Sequence, residues 1–202
     1  MTTKSILISV ALGLVLTVTV GRAAASESQH QGSIKTPYRG TFSGTFFTTS
    51  IDAINPGDGV KAFLGMFSVT TRNFGQVTAQ VLTEDMPVTV PSGACAEGTD
   101  LEFTRGIQHF VHRFPNGDLL YLKGLTRTVC VDLARLTASV DETGEFDGGT
   151  GQFAEATGSW KLTATVDIFA VDPAAQLFGA LSGEFKGTIV TPVPIHMAPN
   201  DD

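Results

Sequence analysis

Glu145-Phe146-Asp147-Gly148-Gly149-Thr150-Gly151-Gln152-Phe153-Ala154-Glu155-Ala156-Thr157-Gly158-Ser159-Trp160 is a glycine-punctuated reversal that runs straight into an alternating segment. Gly148, Gly149 and Gly151 make room for a chain turn that side chains would obstruct. After it, Trp160, Leu162, Ala164, Val166 and Ile168 alternate with Lys161, Thr163, Thr165 and Asp167. A period of two buries one face of a strand and wets the other, so this segment is not a helix.

Seven further runs show the same chemistry. Strands are expected at about 38–50, 60–72, 75–82, 101–114, 118–131, 136–146, 158–171 and 177–190, separated by turn residues. Pro115-Asn116-Gly117-Asp118 is the clearest hairpin, because Asn-Gly supplies the positive φ angles of a tight turn. Asp172 to Gln176 is the one place that suggests a short helical turn. Gly40 and Gly44 in the first run, and Gly179, Gly183 and Gly187 in the last, permit strong coiling of the sheet. The expected fold is therefore an all-β, eight-stranded antiparallel barrel with minimal helix, closed by pairing of its first and last strands. A two-sheet sandwich is the alternative.

The ends differ in composition from this middle. Lys4, the apolar run Ile6 to Val20 and the small residues Ala23 to Ala25 read as an export signal over residues 1–25. An uncleaved anchor is the rival, but the run is shorter than the ~20 residues that span a bilayer. Residues 26–35 read as a flexible leader, 36–190 as the barrel domain, and 191–202, with its three prolines, as a tail. The expected location is secreted or periplasmic, with no membrane span after cleavage. Removing Lys4 and Arg22 leaves 11 basic against 20 acidic residues, a formal charge of −9. Such a surface repels phosphate backbones, so nucleic acid is not an expected partner. Cys95 and Cys130 are the only cysteines, and in an oxidising compartment they are expected to pair; two separate buried thiols are the alternative.

The turn Gly148-Gly149-Thr150-Gly151, followed by Phe153, Ala156 and Gly158, resembles a signature of the allene oxide cyclase and dirigent superfamily, whose members are calycin-like barrels. A Gly-Asp-Leu-Leu hairpin exit at Gly117 to Leu120 and the Cys130-x-Asp132 pattern strengthen the likeness to its exported members. By motif the resemblance covers Asp118 to Trp160, and by strand pattern Tyr38 to Val190. It implies chemistry by orientation: closing a fatty-acid epoxide into a ring, or aligning phenoxy radicals, with no cofactor. It also implies a homo-oligomer, since several members assemble as dimers or trimers. Gly148, Gly149, Thr150, Gly151 and Phe153 are scaffold in this reading, and neither family's catalytic set carries over to residues here.

No hydrolase elbow, phosphate loop or zinc-protease helix occurs. His109 and His112 are three apart on a strand and so face opposite ways, which argues against a shared metal. If Asn116-Gly117 is a two-residue loop, His112 pairs with Tyr121 and Phe110 with Lys123, and one face carries Phe110, His112, Phe114, Tyr121, Lys123 and Arg127. Turned inward, His112, Tyr121, Lys123 and Arg127 would line a largely apolar lumen as ligand-binding residues. Turned outward, they are solvated surface, with Leu120 and Leu122 facing in. Trp160 is expected to anchor the core. The leading functional expectation is an exported barrel that binds a small apolar or amphiphilic molecule. The alternatives are a cofactor-independent cyclase or isomerase, and a filled barrel that works through loops at 55–59 and 91–100.

Overall fold

A computed structural model describes residues 32–48, 62–84, 86–87, 93–104, 108–171 and 177–196. The expected signal, most of the leader, the loop at 55–59 and the segment Asp172 to Gln176 lie outside the described residues. The strands are β1 (Ile34–Thr48), β2 (Ala62–Thr71), β3 (Gly75–Glu84), β4 (Met86–Pro87), β5 (Leu101–Thr104), β6 (Gln108–Arg113), β7 (Leu119–Asp132), β8 (Thr137–Gly149), β9 (Thr157–Val171) and β10 (Leu177–Thr191). Around the sheet the order is β7-β6-β3-β2-β1-β10-β9-β8, and β8 pairs back onto β7. The result is a closed, antiparallel, eight-stranded barrel. β6 covers the first half of β7 (His112 opposite Leu120) and β5 the second (Glu102 opposite Cys130), so these two segments share one place in the ring. First and last strands do meet, from Ile34 opposite Thr191 to Phe47 opposite Phe178.

Alternation decides what fills the barrel. On β8, Ala138, Val140, Glu142, Gly144 and Phe146 point in; on β9, Trp160, Leu162, Ala164, Val166 and Ile168 do so. The end holding the β2–β3 and β6–β7 hairpins, called lower here, is packed solid with aromatics. Tyr38 lies within 6.1 Å, centroid to centroid, of Phe74, Phe114, Phe146 and Phe185. Phe153 closes this end by tilting against Phe114 at 4.4 Å.

Phe153 belongs to a 3-10 turn, Gly151–Phe153, the one helical element among the described residues. Here the glycine turn of the sequence locks onto the hairpin. Thr150 N donates to Leu119 O at 2.8 Å, Leu119 N donates to Thr150 Oγ1 at 2.9 Å, and Gln152 N donates to the Asp118 carboxylate at 3.2 Å. Gly151 has φ +54°, and a Cβ there would fall 2.0 Å from Asp118 Oδ1. Glycine is thus required twice over, by conformation and by space.

Cys95 and Cys130 form a disulfide that pins the stretch before β5 to the outside of β7. Two expected outcomes follow from these contacts. Replacing both cysteines by serine should lower stability by roughly 3–4 kcal/mol in the chain-entropy model for a loop of this length, read from urea melts. Gly151→Ala should cost about 2 kcal/mol or more, whereas Gly93→Ala, at positive φ but with open space around it, should cost less in the same assay.

Candidate functional site

The β6–β7 hairpin sets which side chains face the lumen. Phe114 N donates to Asp118 O at 3.0 Å and Gly117 N to Phe114 O at 2.9 Å, so the loop is Pro115-Asn116-Gly117, with Gly117 at φ +90°. Three residues in place of two move the register by one: His112 opposes Leu120, Phe110 opposes Leu122 and His109 opposes Lys123. Phe110, His112, Phe114, Leu120 and Leu122 therefore point in, while Tyr121 and Lys123 point out. Lys123 is half exposed, 3.7 Å from Glu145 on the outer wall. His109 is outside and His112 inside, as the strand period requires.

Further along β7 the alternation breaks. Gly124 pairs with Gly144 but Thr126 pairs with Thr143, so β7 spends one extra residue, and Leu125 and Thr126 both face solvent. After this bulge the odd-numbered residues point inward. Arg127 thereby enters the barrel, where its Nη1 lies 3.1 Å from Glu142 Oε2. Of the four sequence candidates, His112 and Arg127 face the lumen and Tyr121 and Lys123 do not, and the two inner ones sit on different levels.

On the Arg127 level, Glu142 and Gln108 are both buried. Gly124 lets them approach: a Cβ there would be 2.8 Å from both Gln108 Oε1 and Glu142 Oε1. Gln108 Nε2 is buried with no hydrogen-bond partner among the described residues. Beneath this group lies an aromatic floor. Trp160 stacks on Phe185 at 5.6 Å and meets Phe110 edge-on at 5.4 Å, while its Nε1 donates to Glu145 O at 3.0 Å. Across the ring from β7 stands β1, four places away, with Phe42 and Phe46 pointing in. The upper lumen thus has one polar side, one aromatic side and an aromatic base.

Val81, Ala138 and Val166 point inward yet each retains 8% exposure, against 0% for Tyr38, Val77, Leu120, Phe153 and Ile189. These side chains belong to the same buried core cluster as the lower half. A separate groove of about 1020 Å³ lies outside the wall, between the Cys95 segment and β7, β8 and β9. Two of its carboxylates are already engaged, Asp141 by Lys161 at 3.0 Å and Asp132 by Arg135 at 2.8 Å.

His112 sits below the aromatic floor, its Nδ1 2.8 Å from the Tyr38 hydroxyl. Burial pushes the imidazole down to about 3 and the phenol far above its ordinary value. The pair is thus a neutral imidazole hydrogen-bonded to a neutral phenol, a sealed structural contact. Gln108, Glu142 and Tyr38 were not singled out in the sequence, although each stands on the apolar parity of its strand. A polar residue at such a position is the signal that finds them.

No protein-family model matches the sequence, and no curated protein does. Solved structures similar to the chain include the pterocarpan synthase dirigent protein GePTS1, at TM-score 0.38 and 12% identity over 79% of this chain and 92% of that one. A second, the pterocarpan synthase dirigent protein PsPTS1, gives TM-score 0.36 and 14% identity over 77% and 94%. Likeness at these values carries nothing about reaction or ancestry, and the barrel stands on the strand pairing above.

His112 supplies a pH dependence with a definite sign. Native His112 stays neutral to about pH 3, whereas the unfolded chain takes up that proton near 6.5. Stability is therefore complete above about pH 6.5 and falls by up to ~1.4 kcal/mol per pH unit below it. Urea melts from pH 7 to pH 4 should show this slope in the native sequence and a shallower one in His112→Gln.

Proposed function

We propose that the barrel binds one small, largely apolar molecule in its upper lumen, with an oxygen function of that molecule seated against Gln108, Arg127 and Glu142. The observation that carries this reading is the buried amide of Gln108, whose Nε2 is unpaired among the described residues, beside the Arg127–Glu142 pair in an interior that is mostly Val, Ala, Ile and Phe but also buries Thr48, Thr83 and Glu84. Burying such groups costs free energy unless something pairs with them. The Arg127 charge is balanced by Glu142 at 3.1 Å, so an added carboxylate would bring an uncompensated charge inside. A neutral head, such as a carbonyl, ether or hydroxyl oxygen accepting from Gln108 Nε2, fits better. The aromatic floor and the Phe42–Phe46 side suit a flat or flexible apolar body.

Export is part of the same proposal, supported by the disulfide, which persists in oxidising compartments. A second reading, in which the lumen orients a reactive substrate for cyclisation or coupling, draws on the fully buried Glu142 carboxylate. It differs from simple binding only in turnover, and an assay with an unsaturated fatty-acid epoxide separates the two.

The test is native purification followed by mass spectrometry of any co-eluting small molecule, together with quenching of Trp160 fluorescence by a neutral aromatic ketone. Gln108→Leu removes the unpartnered donor and should leave stability unchanged or higher while weakening the ketone at least tenfold. Equal quenching in the two proteins, or none in either, defeats the proposal.

A further inference from the structure

Four basic side chains stand in one line on the outer wall of the barrel. Arg39 on β1 opposes Lys186 on β10, and Lys186 opposes Lys161 on β9. Arg72, the first residue past β2, extends the row, its N donating to Arg39 O at 3.3 Å. All four are exposed. Neighbouring strands lie ~4.8 Å apart, so the row runs ~15 Å along the wall. Lys35, earlier on β1 and of the same parity as Arg39, adds a further cation to this face.

Such a row is unfavourable for the protein by itself. Like charges directly opposite each other on neighbouring strands destabilise a sheet, and here they follow in succession from Arg72 to Lys161. The chain holds more acidic than basic residues, 20 against 13, yet half of this row is left unbalanced. Glu184 pairs with Lys186 at 2.6 Å and Asp141 with Lys161 at 3.0 Å. Arg39 and Arg72 have no ion pair among the described residues. Both existing pairs are exposed, with the Lys186 and Lys161 side chains 65% and 60% accessible. Pairs of that kind contribute little, so a competing anion can displace their carboxylates.

We infer that this strip binds a linear acidic polysaccharide, a polyhydroxyl chain carrying carboxylate or sulfate groups along its length. Four cations in line exceed what one small anion engages, and the guanidinium forks of Arg39 and Arg72 match the paired oxygens of either group. The rows on both sides supply hydroxyls for the sugar, Thr41 and Thr70 above the arginines and Thr188 and Ser159 below the lysines. At physiological salt the Debye length is ~8 Å, so the acidic remainder of the surface is largely screened from the strip. Nucleic acid fits less well. Its duplex carries about one charge per 1.7 Å, a dense array to bring against a chain of net charge −7, and these rows hold no aromatic side chain among the described residues on which a base could stack. An anionic bilayer is flat and meets only part of a row that curves with the barrel. The strip lies on the outside and is independent of any guest in the lumen.

Titration of the intact protein with dextran sulfate and with polygalacturonate, against uncharged dextran, tests the inference. At about 50 mM salt at least one charged polymer should bind, and binding should fall steeply by about 200 mM. Which of the two binds tells sulfate from carboxylate recognition. Arg39→Ser and Arg72→Ser, both at exposed positions, should each weaken binding about tenfold. Their thermal melts should match the native one or lie slightly above it, because a like-charge pair is relieved. Either variant suffices should the other fold poorly. Lys123→Ser and Arg135→Ser remove exposed cations outside the strip and should leave binding unchanged. The inference is overturned if neither charged polymer binds, if uncharged dextran binds equally well, or if the two outside variants weaken binding as much as the two strip variants. Tighter binding of duplex DNA or of phosphatidylserine vesicles than of both polymers also overturns it.

Discussion

A sheet has two edges unless it closes, and here the pairing of β1 with β10 on one side and β7 with β8 on the other removes both. Every other feature depends on that closure. Once the ring is complete, each residue is either inside or outside according to its parity on the strand, and the inside must be filled. The lower half is filled by rings around Tyr38. In the upper half β8 and β9 contribute the small side chains Ala138, Val140, Ala164 and Val166, and β1 and β2 the larger Phe42, Phe46 and Phe67. One continuous sheet therefore lines an aromatic lower half and an upper half of smaller side chains by the same alternation.

Two of the polar clusters buried in the barrel have different physical status. Tyr38 and His112 satisfy each other, are ringed by Phe74, Phe110, Phe114, Phe146 and Phe185, and tie the first strand to the sixth across 74 residues of sequence. Their energetic effect is complete within the protein. Gln108, Arg127 and Glu142 form a different kind of group. A buried ion pair adds little net stability over apolar residues of equal volume, and the amide of Gln108 leaves a donor unused. Packing alone does not account for such a group in this position.

Much of the fold was legible because strand chemistry is local. The alternation after Trp160, the Asn-Gly hairpin and the glycine turn each declare themselves within a dozen residues, and closure follows from having eight such strands with coiling glycines at both ends. The disulfide was legible for a similar reason, as only Cys95 and Cys130 were available. The site was less legible because it depends on counting. One residue more in the Pro115-Asn116-Gly117 loop turned Tyr121 and Lys123 outward, and no propensity distinguishes a two-residue from a three-residue loop with the same Asn-Gly pair. Arg127 reached the lumen only through the surplus residue at Leu125, which leaves no mark in composition. Glu142 was visible in principle, as a charge on the apolar parity of Ala138, Val140 and Phe146.

That surplus residue also bears on how chains of this kind are compared. Upstream of Leu125 the inward residues of β7 are even-numbered, and downstream they are odd-numbered. Any alignment scored on uninterrupted alternation falls out of phase midway along this strand, matching solvent positions to interior ones from there on. Kinship read across β7 with a barrel that lacks this bulge thus needs a gap of one placed at Leu125, and without it the half of the strand that bears Arg127, Val129 and Val131 is compared with the wrong side.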